Sequence, residues 1–285
     1  MTDASPEKLA ERIRTTIEEF CRSPENTNGA DEPSWKDPLV GFADGDDPLF
    51  EEIRAHIGEF YWTPRMAFAE AHPDAEPDTL TVACWVLPQT DPTVRDHARE
   101  TEVPSERWIR SRRFGEDFNH ALHDHVVEQL EADGIAAVAP THLPGWGNHM
   151  SADYGRATSW SHRHCAYVAG LGTFGLCDGL ITRAGKAMRC GSVVLAAPVP
   201  PTPRPYDDVH AYCLHYTKGT CGACMRRCPV GALAPGHHDK EACRDYVVSK
   251  TLGYGEERFG IYAHACGLCQ AGVPCASGIP GSSDA

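Results

Sequence analysis

The chain has 285 residues, with 26 Lys and Arg against 40 Asp and Glu, a net charge of −14 at neutral pH. That balance argues against the basic face that nucleic-acid binding needs, and no apolar run approaches the ~20 residues that span a bilayer. The first residues carry no export signal, so the 13 cysteines point to a cytoplasmic protein with metal ligation rather than a disulfide framework.

Residues 5–20 have the amphipathic pattern of a helix. Residues 22–50, with "SPENTNGADEP" and "FADGDDP", are loop-rich. "DPLFEEIRAHIG" reads as a short helix, and "TLTVACWVLPQ" over 79–89 as a buried strand that Pro88 ends. In 114–133, Phe114, Phe118, Leu122, Val126 and Leu130 recur every four residues, so this segment is a helix closed by Gly134. "GIAAVAPT", "DGLITRAG" and "RCGSVVLAAPV" read as further strands. Strands alternating with helices give an α/β or α+β class. "PVPPTPRPYDD", with five prolines, reads as a stiff linker. It separates an acidic unit, residues 1–200, from a cysteine-rich one, residues 205–285. From Arg204 onward eight cationic residues balance eight anionic ones, so the whole excess of negative charge lies in residues 1–203.

Eight cysteines lie between 213 and 275. "CGACMRRCP" has the C-x2-C-x3-C-P end of a ferredoxin run, but Lys218 stands where its first cysteine belongs. In two-cluster ferredoxins the cysteine before proline ligates the other cluster. Applied here, that rule sends Cys228 to join Cys243, Cys266 and Cys269. Cys221 and Cys224 then take Cys275 and the upstream Cys213, which replaces the missing ligand. Two [4Fe–4S] clusters use all eight sulfurs. A zinc site built from the pairs Cys221/Cys224 and Cys266/Cys269 is the alternative, and leaves four unused. Cys165, Cys177 and Cys190 read as small buried hydrophobes.

"AGLGTFG" contains Gly170-x-Gly172-x-x-Gly175. A dinucleotide fingerprint should follow a strand and precede an acidic residue about 20 positions on. The preceding "SWSHRHCAYV" is helix-like and the residues near 195 are apolar, which leaves a tight packing turn or a loop that lets backbone approach a bulky cofactor. Segment 142–165 carries four histidines, and its one acidic residue is Asp153. Asp153, Tyr154, His162 and His164 are its candidate catalytic groups, since histidine and tyrosine can deliver protons; surface histidines on a packed loop are the plainer reading.

The glycine loop followed by "LITRAG", the run ending "CPVGAL", then Cys243 and Cys266-Gly-Leu-Cys269, resembles the epoxyqueuosine reductases and the core of the corrinoid-dependent reductive dehalogenases. The resemblance covers roughly residues 115–280. It implies a nitroreductase-like domain followed by a small ferredoxin-like two-cluster domain. It also implies a base-off cobalamin lined by Gly170, Gly172 and Gly175, a low-potential electron donor (a ferredoxin, a flavodoxin or a reductase) and a reduced substrate. The acidic first unit favours a small-molecule substrate over nucleic acid. Three positions depart from the family pattern: the first cysteine sits at 213, Cys275 precedes Ala276 rather than proline, and Arg156 stands where the reductases carry an aspartate. A two-cluster ferredoxin-type electron carrier without corrinoid is the rival reading.

Overall fold

The structure, a computed structural model, describes residues 5–281; residues 1–4 and 282–285, at the outer edges of the two expected units, lie outside it. Helix α1 (Pro6–Cys21) starts with Ser5 as N-cap and Pro6 in its first turn. It buries Leu9, Ile13, Ile17 and Cys21, one per turn, on the stripe its pattern predicts. Strand β1 (Leu39–Asp44) follows within the stretch expected to be loop. Next come α2 (Leu49–Ile57), α3 (Pro64–Ala71), β2 (Thr81–Pro88), α4 (Asp91–Arg99), α5 (Glu106–Ala132) and β3 (Ala137–Val138). A hairpin of β4 (Asn148–Ser151) and β5 (Gly155–Thr158) leads to α6 (His162–Val168). A second hairpin, β6 (Gly172–Phe174) with β7 (Leu180–Thr182), leads to β8 (Met188–Leu195).

The main sheet has the order β1-β2-β8-β3 with every pairing antiparallel. The "LITRAG" segment, expected as a further strand, pairs only in its own hairpin. All eight residues of β2 are buried, because both faces of the sheet are covered. On one face Val82, Cys84 and Val86 pack with Phe50, Phe68 and the α6 residues Cys165, Ala166 and Val168. On the other, Ala83, Trp85 and Leu87 pack with α1 and with Phe118, Leu122, Val126 and Leu130 of α5. The result is a helix–sheet–helix sandwich of mixed α/β class. Double coverage removes the polar–apolar alternation of a half-exposed strand, which is why residues 79–89 read as continuously apolar.

The proline-rich stretch lies on the sheet. Thr202 exchanges two hydrogen bonds with Phe42, its backbone N–H donating to the Phe42 carbonyl and its hydroxyl accepting from the Phe42 N–H, both at 2.9 Å. Arg204 pairs with Asp47 at 3.0 Å, and Tyr206 is buried in the core. Beyond it come α7 (Leu214–Lys218), α8 (Ala223–Arg226), the short pair β9 (Leu233–Ala234) and β10 (His237–His238), α9 (Lys240–Tyr246) and α10 (Leu252–Phe259). A wide helical turn over Val247–Thr251 joins the last two helices.

Candidate iron–sulfur centre

Cys213 is the residue before α7 and is buried, whereas Lys218, at the end of that helix, is exposed. Gly219 ends the helix in the left-handed region, φ 65°. The chain then passes Cys221, enters α8 with Cys224, and turns to bring out Cys228. Two cavities lie among these residues. Cys213, Cys221, Cys224 and Cys275 line the first, with Lys186 in its wall; it holds about 20 Å³, room for about one water. Cys228, Cys243, Cys266 and Cys269 line the second, of about 280 Å³, together with Cys177. The pairs Cys221/Cys224 and Cys266/Cys269 thus border different cavities. Among the described residues no three His, Cys, Asp or Glu side chains close on one metal position. A four-iron cube takes one thiolate at each iron corner, so its ligands stand around a space rather than on a point. Four sulfurs at the first cavity and five at the second, Cys177 included, are a donor set large enough for two such cubes, and the first cavity must widen to admit one.

The second cavity is anchored to the sandwich. Arg227 donates to the carbonyls of Leu268 at 2.7 Å, Glu100 at 2.9 Å and His97 and Ala98 at 3.3 Å, so it satisfies the carbonyl end of α4. His97 is fully buried and stacks on Trp108, with ring centroids 4.1 Å apart. Its Nδ1 accepts from the Ser105 N–H at 3.3 Å, and its Nε2 faces the Cys266–Gly267 backbone without a well-formed hydrogen bond. Burial pushes its pKa down to about 3. Gly267 has φ 67°, and a Cβ there would lie 2.2 Å from the Trp108 indole. Only glycine lets this turn, between two cysteines, sit so close to the ring.

His238 connects the second cavity to the sheet domain. Its Nδ1 pairs with Asp178 at 2.8 Å, and the ring also reaches Cys243. The Asp178 carboxylate, then Cys243, raise its pKa to about 9. Asp178 itself takes φ 55°, a left-handed backbone uncommon outside glycine.

The four candidate catalytic residues lie in two places, Asp153 and Tyr154 on the β4–β5 hairpin and His162 and His164 on α6. Asp153 is exposed at the tip of the β4–β5 hairpin; Tyr154, beside it, presents its hydroxyl to His56 Nε2. His162 Nδ1 meets Ser192 Oγ at 2.8 Å, and the same oxygen accepts from Trp160 Nε1 at 3.0 Å. His164 packs edge-on to Tyr61. Burial lowers His162 and His164 to about 3, and the charges of His142 and His120 lower His162 further. Arg156, on the same hairpin, pairs with Glu241 of α9 at 3.2 Å.

The glycine loop faces the protein's own backbone. A Cβ on Gly170 would lie 2.5 Å from the Pro203 carbonyl oxygen, and one on Gly172 would lie 2.4 Å from that of Ile181. Gly175 looks onto the Ile181 side chain at 3.2 Å. Sequence reasoning missed His97, Trp108 and Lys186, which stand far from the cysteines in the chain, and took Cys177 for a hydrophobe. Cys177 is buried, yet its Sγ accepts from Lys186 Nζ at 3.1 Å.

Neither the comparison with protein-family models nor that with curated proteins finds a match. Solved structures do match in fold. An epoxyqueuosine reductase aligns with 96% of this chain at 16% identity and a TM-score of 0.54. One from Bacillus subtilis aligns at 17% identity and 0.52, again over 96% of this chain. A catabolic reductive dehalogenase in complex with 3-bromo-4-hydroxybenzoic acid aligns over 98% of this chain at 17% identity and 0.58. The chain spans 67% and 66% of the two reductases and 34% of the dehalogenase. Across nearly its whole described length, therefore, the chain has the fold of the epoxyqueuosine reductases and reductive dehalogenases, the family its cysteine and glycine motifs resemble.

Proposed function

We propose that the protein is an iron–sulfur oxidoreductase acting on a small molecule. The observation that carries this reading is the placing of eight cysteines along two cavities, four at each, with Cys177 a ninth sulfur at the second. Cys213, Cys221, Cys224 and Cys275 would hold one [4Fe–4S] cluster, and Cys228, Cys243, Cys266 and Cys269 the other. Clusters bound there would supply one-electron transfer from a low-potential donor such as a ferredoxin or flavodoxin. The chain's own residues fix the ligands: Arg227 ties the first cysteine run to α4, and Trp108 with Gly267 sets the turn between Cys266 and Cys269.

A corrinoid is a different matter. Gly170 and Gly172 were expected to line it, but the space beside each is filled by carbonyls of this chain. On the side where a Cβ would stand, Gly170 and Gly172 thus serve close packing of the chain on itself, and no step is assigned to the group. That packing favours a second reading, a two-cluster electron carrier serving a separate redox enzyme. Within the first reading Tyr154 is the better placed proton donor. Its hydroxyl meets His56 in reach of solvent, whereas His162 and His164 are held neutral. An epoxyqueuosine reductase has been solved with a tRNA stem loop; the acidic charge of residues 1–203 favours a small substrate here. Among the described residues no helix is long and apolar enough to cross a membrane.

Anaerobic purification tests the proposal. A brown protein with ~8 iron and ~8 sulfide per chain, the content of two four-iron clusters, is the expected result; one zinc and no iron would overturn it. Titration with hydroxocobalamin then separates the readings: a protein that retains the corrinoid is the enzyme, and one that retains none favours the carrier.

A further inference from the structure

Between the two cavities lies a polar pair that neither set of four cysteines uses. Lys186 is 2% exposed, and its ammonium donates to Cys177 Sγ at 3.1 Å. The Cys177 thiol is also within hydrogen-bonding reach of Cys224, which borders the first cavity, and of Cys269, which borders the second. Lys186 itself lines the first cavity and Cys177 the second. The lysine is fixed by its backbone: Lys186 N–H donates to the Cys275 carbonyl at 2.9 Å and Ala187 N–H to that of Ala276 at 3.1 Å.

A buried ammonium is costly unless anionic groups face it. Here the facing groups are sulfurs that border both cavities, so one cation is shared between two sites. Net charge and hydrogen bonding around the sulfurs are among the quantities that set a cluster's reduction potential. An added electron makes a cluster more negative, so a cation beside it favours the reduced form.

Resting on the two-cluster reading, we propose that Lys186, anchored by Cys177, is a positioning residue whose single charge raises the reduction potential of both clusters together. The test uses the full chain, purified anaerobically, with iron and sulfide assayed and each cluster titrated by EPR and visible absorbance. Lys186→Met removes the charge and the hydrogen bond; Lys186→Gln removes the charge and keeps an N–H donor; Lys186→Arg keeps the charge. The expected result is parental iron in all three, both midpoints shifted to more negative values in the Met and Gln variants, and a smaller shift in the Arg variant. Parental midpoints in an iron-loaded Met or Gln variant would overturn the proposal. So would failure of both uncharged variants to load, which would make the lysine a structural requirement only. Cys177→Ala should keep parental iron; loss of one cluster's share would make Cys177 a ligand and overturn its role as anchor. A parent without iron defeats the two-cluster reading instead.

Discussion

On the two-cluster reading, Cys213 supplies the ligand that Lys218 cannot, and the burial of the two residues supports that assignment. Lys218 occupies the position of a ferredoxin's first cysteine, yet it is exposed at the end of α7. Cys213, five residues earlier, is buried against the first cavity. Cys213→Ser should lose about half of the bound iron and Lys218→Ala none, as measured by iron assay on anaerobic protein. His123 contributes to the acid response, together with His97, His162 and His164. His123 is 1% exposed; its Nδ1 donates to the Asn119 carbonyl at 2.6 Å, and its Nε2 accepts from the Ser192 N–H at 3.3 Å. Both nitrogens are used in the neutral ring, and burial, then the neighbouring His162, holds its pKa well below the ordinary value. The unfolded imidazole takes its proton near pH 6.5 and the folded one does not. The stabilisation is therefore present above about pH 6.5 and is lost as pH falls, by up to ~1.4 kcal/mol per pH unit for one proton. Urea midpoints should drop between pH 6.5 and 5, and His123→Gln should show the shallower decline.

Among the elements, α5 carries two duties along 27 residues. Its C-terminal half lies under the sheet, with Leu122 fully buried, and Leu122→Ala should cost about 2–5 kcal/mol in chemical denaturation with iron content unchanged. Its first turns carry Trp108 and Ile109 into a cluster with Ile261, Ala263 and Ala265. Trp108→Ala should leave denaturation of the sheet nearly intact yet reduce iron at the second site. The C-terminal half was legible because its apolar residues recur every turn. The first turns, "ERWIRSRR", were not, because their charged residues hide two buried apolar ones that face a segment about 150 residues away. Strand β1 escaped for a related reason: its flanks are turn-rich, and its strand character comes from pairing with β2. The pairs Cys221/Cys224 and Cys266/Cys269 were legible because each is local in the chain, and they border different cavities. The Lys186–Cys177 contact joins the loop before β7 to the bend before β8, and neither residue belongs to a recognisable motif.

The two parts of the molecule differ in what holds them. The sandwich buries continuous apolar layers on both sheet faces. In the cysteine-rich part, α7 and α9 bury no residue at all. Its order would come in large measure from bound metal, since a site formed only in the folded state couples binding to folding. Protein stripped with chelator should be cut by protease within residues 205–281 while the sandwich survives, and the iron-loaded form should resist. Mass spectrometry of the fragments checks this.

The proline-rich strap has a consequence for rates. Thr202, Arg204 and Tyr206 fasten it to β1, to the loop before α2 and to the core. The start of the cysteine-rich part is thereby fixed against the sandwich and has no loose tether. Electron tunnelling weakens steeply with separation, so a carrier on a swinging arm transfers in bursts, at close approach. With clusters bound as proposed, the strapped-down chain would hold them at a fixed separation from the sandwich, and transfer between the two parts would run at one steady rate.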